Sequence, residues 1–139
     1  MDALSELLCF TGALLFLLGL LTGFGIPGFR SPRIGLSAHL AAIESGLGLV
    51  AFGLLLPHLT LSPAWAQIIA QTLWISLYVL WIGLVFGAAY GTGKALPIAG
   101  AGHAAGPGQE MTARILVGGG SLGSAAAVAA LLLQWQWIG

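Results

Sequence analysis

The sequence predicts an all-α protein, an integral membrane bundle of four transmembrane helices that form one domain over residues 1–139. Three observations carry that prediction. The chain is 58% hydrophobic and only 6% charged, with a mean hydropathy of +1.01. A soluble domain of 14.2 kDa could not cover its surface with so few charges. Four apolar runs each exceed the ~20 residues that a helix needs to cross the hydrocarbon, and none alternates as a barrel strand does. The net charge is zero, so no basic surface points to nucleic acid.

The first run covers about residues 4–27, "LSELLCFTGALLFLLGLLTGFGIP". It opens near Asp2 and Glu6 without a basic leader, which reads as a retained helix and not a cleaved signal. The lone Cys9 sits inside it as a small apolar side chain. Gly19-x-x-x-Gly23 has the spacing of a close helix-packing face. The second run, about 35–57, ends at Pro57, and the third spans about 65–91. The fourth, about 111–137, contains "GGGSLGSAAA", with the packing spacing Gly119-x-x-x-Gly123, and ends with Trp135 and Trp137 as interfacial aromatics. Gly and Pro punctuate the three connections. The basic residues Arg30, Arg33, Lys94 and Arg114 all fall in or beside the first and third connections. The positive-inside rule therefore places those two in the cytoplasm and both termini outside, in a multi-pass protein of the cell inner membrane.

Helix two carries the polar residues that need explaining, in "GLSAHLAAIESGLG", residues 35–48. At 100° per residue, Gly46 lies about 20° from the direction of His39, and Val50 and Gly53 continue that face. An imidazole above Gly46 and Gly53 makes a smooth shelf on which a flat macrocycle could lie. From a helix start at residue 35, His39 sits roughly 6 Å in and Glu44 roughly 13 Å in. Glu44 points about 140° away from His39, and Ser45 about 120° away on the other flank. His39 has two readings, an interhelical hydrogen bond or a ligand role. Ser45 is expected to bond back to its own helix carbonyl. Glu44 at mid-bilayer must be neutral, paired or facing water. His58 reads as interfacial. The glycine-rich "GAGHAAG" follows no strand and is no dinucleotide fingerprint.

Four stretches then carry a family resemblance: "SPRIGLSAHL" opening helix two, "GTGKALPIAGAGH" running on to "QE" at 109–110, "FTGALLFLLGLLTG" and "LLLPHLTLS". Over nearly its whole length the chain resembles hydroxylaminobenzene mutase, and more distantly styrene oxide isomerase. The resemblance implies a membrane-embedded homotrimer that binds haem b between protomers, with His39 at the place of the iron ligand. It also implies an isomerase whose ferric iron acts as a Lewis acid on a small apolar aromatic substrate, turning an arylhydroxylamine into an aminophenol or an aryl epoxide into an aldehyde. Ser45 and Glu44 are then the catalytic candidates, and Gly46 and Gly53 line the cofactor. The chain departs from the family pattern at Ser45 and Leu80, where asparagine is expected, at Leu84 in place of tyrosine, and at Gly108 in place of tryptophan. Two other classes stay open. One is a small proton-coupled exporter using Glu44. The other is a non-catalytic haem protein, in which His103 is the only partner for His39, because His58 lies roughly 28 Å away along the helix.

Overall fold

The computed structural model describes residues 2–135 and contains four long helices. Helix α1 spans Ala3–Gly25, α2 Pro32–Leu55, α3 Pro63–Tyr90 and α4 Pro107–Leu133. Short 3-10 turns follow α1 and α2, at Ile26–Gly28 and Leu56–His58. All four helices are long and apolar enough to cross a membrane. The expected helix four ran to residue 137; α4 ends at Leu133, and Trp137 lies outside the described residues.

Three helices start earlier than the sequence pattern suggested, at 32, 63 and 107 instead of 35, 65 and 111. In each case a proline occupies the first turn. Proline is favoured there because its missing N–H would be unpaired anyway and its fixed φ suits the helix. Reading those prolines as loop punctuation cost two to four residues per helix. The correction deepens the polar residues: from Pro32, His39 lies roughly 10 Å along α2 and Glu44 roughly 18 Å. The other ends obey familiar rules. Asp2 caps α1 by accepting from Ser5 N–H at 2.8 Å, which holds its carboxyl below the usual carboxylate range. Gly91 ends α3 at φ 70, the left-handed conformation that favours glycine.

Helices α1 and α2 form one closely packed pair and α3 and α4 another, and α2 packs on α3 to join them. Tyr78 O–H donates to the Thr11 carbonyl at 2.7 Å, and Trp81 Nε1–H donates to Thr22 Oγ1 at 3.1 Å, tying α3 to α1. The core between the pairs holds Leu8, Leu15, Ala42, Leu49, Ala70, Leu73 and Ala127. The two basic connections meet at one end of the bundle, where Ser31 N–H donates to the Ala88 carbonyl at 3.0 Å. Beside them, Arg30 and His103 flank Gly91. That shared end is what the charge distribution required.

Candidate functional site

The site is built where α2 crosses α1. At Gly12, Gly46 and Gly53 the two backbones approach so closely that no side chain fits. A Cβ on Gly46 would lie 2.7 Å from the Gly12 carbonyl oxygen, and one on Gly53 would lie 2.7 Å from Cys9 Sγ. The expected open shelf at Gly46 and Gly53 is therefore filled by α1. The periodicity placed both glycines correctly on one face, but that face is the helix–helix seam, and no macrocycle can lie on it within one chain.

His39 stands at the edge of this seam. Its Nδ1 lies 2.7 Å from the Gly19 carbonyl oxygen. A carbonyl only accepts, so Nδ1 carries the proton and donates, which leaves Nε2 with its lone pair. Nε2 makes no hydrogen bond. Gly23 makes room for the ring: a Cβ there would sit 2.8 Å from Nδ1. Both readings of His39 thus meet in one side chain, with one nitrogen tying the helices and the other available. The imidazole borders an open apolar groove of about 420 Å³, lined also by Leu20, Gly23, Phe24, Ile26 and Leu36.

The remaining candidates lie elsewhere. Ser45 is half-buried, and its hydroxyl makes no hydrogen bond, so the expected bond to its own helix is not formed. Glu44 is exposed on the outer face of α2, without a hydrogen bond or ion pair. His58 is exposed at the far end of α2, as expected. His103 takes no part in the His39 groove; its Nδ1 is buried without a partner. Leu80 packs on α4, where a Cβ at Gly120 would meet its backbone nitrogen at 2.6 Å. Leu84 lines a separate apolar cavity of about 240 Å³ with Ser37 and residues 95–99. Sequence reasoning missed two residues. Gly23 was read only as a packing glycine. Glu110 pins the third connection, accepting from Ala95 N–H at 2.7 Å and Ala105 N–H at 3.0 Å. Its place in "QE" at the head of an apolar run was the signal available.

Among the described residues no group of three or more His, Cys, Asp or Glu could hold a bare metal ion. A single imidazole with a free Nε2 beside an apolar groove instead fits a metal whose other ligands come with a macrocycle. The donor set and the groove therefore fit a haem.

Comparison with known proteins fixes the class: this chain is an isomerase built on membrane-length helices. It belongs to the styrene oxide isomerase family, whose model matches residues 4–136. Two relatives are hydroxylaminobenzene mutases of Ectopseudomonas oleovorans. HabA is 37% identical over 108 residues, 77% of this chain and 80% of the relative. HabB is 38% identical over 100 residues, 71% of this chain and 61% of the relative, so the match spans less than two thirds of HabB.

Proposed function

We propose that the protein is a membrane-embedded, haem b-dependent isomerase that converts a small arylhydroxylamine into an aminophenol. In that rearrangement the N–O bond breaks, a C–O bond forms on the ring, and the ring proton lost is balanced by one gained, so no electrons enter or leave. The observation that carries the reading is His39, with Nδ1 committed to Gly19 and Nε2 free beside an apolar groove. The names of the two relatives supply the substrate class. An aryl epoxide, from the family's name, is the second reading.

His39 would hold the cofactor through Nε2. When bound, haem b would supply an iron that acts as a Lewis acid toward the substrate oxygen. The Gly19 carbonyl fixes the imidazole tautomer and raises its basicity, as an outer partner of a metal-bound histidine does. Leu20, Phe24, Ile26 and Leu36 would keep water from the reacting substrate. Ser45 presents one unbonded hydroxyl where the family pattern has an amide with more donors, but it does not line the His39 groove, so no contact within one chain gives it a substrate-orienting role. Glu44, on the outer face, has no role in the chemistry of its own chain.

The test is detergent-purified protein assayed chromatographically for an aminophenol from hydroxylaminobenzene, alongside its visible spectrum. The expected result is a Soret band and turnover, with both lost in His39→Ala while helicity is kept. Turnover that persists in a haem-free His39→Ala protein would overturn the reading.

A further inference from the structure

The basic end of the bundle carries a cavity that the isomerase chemistry does not use. It opens between the third connection and the start of α4 and has a volume of about 260 Å³. Its lining is Lys94, Ala105, Pro107, Glu110, Met111 and Arg114, none of which borders the His39 groove. Two of the four basic residues of the chain therefore share one cavity.

Both cations are exposed, and among the described residues neither makes a hydrogen bond or a close ion pair. Glu110 is the one carboxylate in the lining, and it is buried with both oxygens committed. Oε2 accepts from Ala95 N–H at 2.7 Å and Oε1 from Ala105 N–H at 3.0 Å. Those two bonds hold the residue after Lys94 and the residue two before Pro107 against α4, so Glu110 fixes the walls. One carboxylate against two cations leaves the lining with a net positive charge. Two cations around one cavity repel each other unless an anion lies between them.

An apolar track leads away from the cavity along α4. Met111, Ile115 and Leu122 are all exposed, and at 100° per residue they lie within about 40° of one another. The side of α4 that meets α3 is a different one, at Leu116, Val117 and Gly120. Arg114 lies one turn beyond Glu110, roughly 10 Å along α4 from Pro107, where a long side chain can reach back to the membrane surface. A charged cavity at the end of a span, followed by an apolar track into it, has the layout of a headgroup and an acyl chain. A free anion would use only the first part.

We propose that this cavity binds the phosphate diester of an anionic phospholipid, with one acyl chain laid along Met111, Ile115 and Leu122. The Arg114 guanidinium donates to the phosphate as a planar fork, and the Lys94 ammonium adds a point charge from the other wall. A phosphocholine headgroup would bring its own cation against these two, so the anionic lipid is preferred. The bound lipid joins the third connection to α4 through Lys94 and Arg114, alongside the tie that Glu110 makes. The proposal rests on the membrane-embedded reading above and requires neither haem nor turnover.

The test titrates the detergent-purified protein with phosphatidylglycerol or phosphatidylcholine and counts bound lipid by native mass spectrometry. The expected result is one phosphatidylglycerol per chain, held more tightly than phosphatidylcholine. Lys94→Gln and Arg114→Gln should each weaken that binding about fivefold, the worth of one cation beside an anionic lipid surface. Arg33→Gln, an exposed cation in the first turn of α2 and outside this lining, should leave it unchanged. Equal retention of the two lipids, or an equal loss in Arg33→Gln, overturns the proposal. Inorganic phosphate should not displace the lipid; displacement would assign the cavity to a free anion and overturn the lipid. Carbonate-washed membranes separate this idea from the reading beneath it. A chain released into the wash sinks the membrane-embedded reading, and a chain retained without preference for phosphatidylglycerol sinks this proposal alone.

Discussion

The seam between α1 and α2 and the outer face of α4 use the same residue for opposite ends. At the seam, a Cβ on Gly12 or Gly46 would lie within 3 Å of the facing backbone. On α4, a Cβ on Gly118 would meet nothing within 4 Å. A glycine in mid-helix costs about 0.5–1 kcal/mol relative to alanine. At the seam that cost is offset by backbone contact inside the chain. At Gly118, as at Gly48, nothing within the chain offsets it. The comparison teaches that helix-packing glycines are informative by what covers them. The covered ones hold His39 in register with Gly19 and Gly23, and the uncovered ones leave their helix faces open.

The largest expected effect breaks the covered side. Gly46→Leu forces a branched side chain into the backbone of Gly12 and Phe16, each within about 3 Å of the added Cβ. Neither backbone can yield without separating the helices. Overpacking of this kind costs 1–3 kcal/mol or more, and we expect about 3 kcal/mol or more here. Thermal unfolding in detergent should show a large fall in Tm or no folded protein. Gly118→Leu, the same change on the open side, should leave the chain folded.

Next in size is the edge of the seam. Gly23→Val pushes directly on the imidazole, where a Cβ would already stand 2.8 Å from Nδ1. The ring must leave the Gly19 carbonyl, and Nε2 turns with it. We expect haem occupancy, read from the Soret band, to fall at least about tenfold, with much less loss of Tm than in Gly46→Leu. Retained occupancy would mean that the imidazole does not need its place on α1. Smaller again is the connection. Glu110→Ala strips the acceptor from two backbone N–H groups, at Ala95 and Ala105. Fully buried donors left unpaired cost about 1–3 kcal/mol each, and these half-buried ones cost less. Residues 91–106 should become protease-sensitive while the helices persist.

Much of this architecture was legible in the sequence. Hydropathy alone gave four spans, and the grouping of Arg30, Arg33 and Lys94 correctly put two connections at one end. His39 was singled out by being polar in an apolar run. What could not be read was which surface covers which face. A period of 3.6 residues groups Gly46 and Gly53 on one side of α2 but is silent about whether a helix, a cofactor or lipid lies opposite. For the same reason Gly23 passed as a packing glycine, since its contact is with a side chain from another helix. The tie from Glu110 to Ala95 was hidden because its donors are backbone groups, which leave no mark on residue identity.

The smallest effect sharpens the comparison most, because it turns on a sign. Gly48 and Gly118 are both helical glycines with nothing within 4 Å of an added Cβ. Replacing either with alanine removes backbone freedom from the unfolded chain and introduces no clash within the folded one. Each substitution should therefore stabilise the isolated chain by about 0.4–1 kcal/mol. Association distinguishes them. Gly48 lies on α2 and not on the Gly118 face of α4, so Gly48→Ala should leave association through that face unchanged. If the open Gly118 face packs against a second copy, one methyl group there separates the helices. Gly118→Ala should then raise the monomer's Tm at high detergent and lower the oligomer fraction at low detergent. Equal behaviour of the two variants in both conditions would mean that the open glycine of α4 faces only lipid.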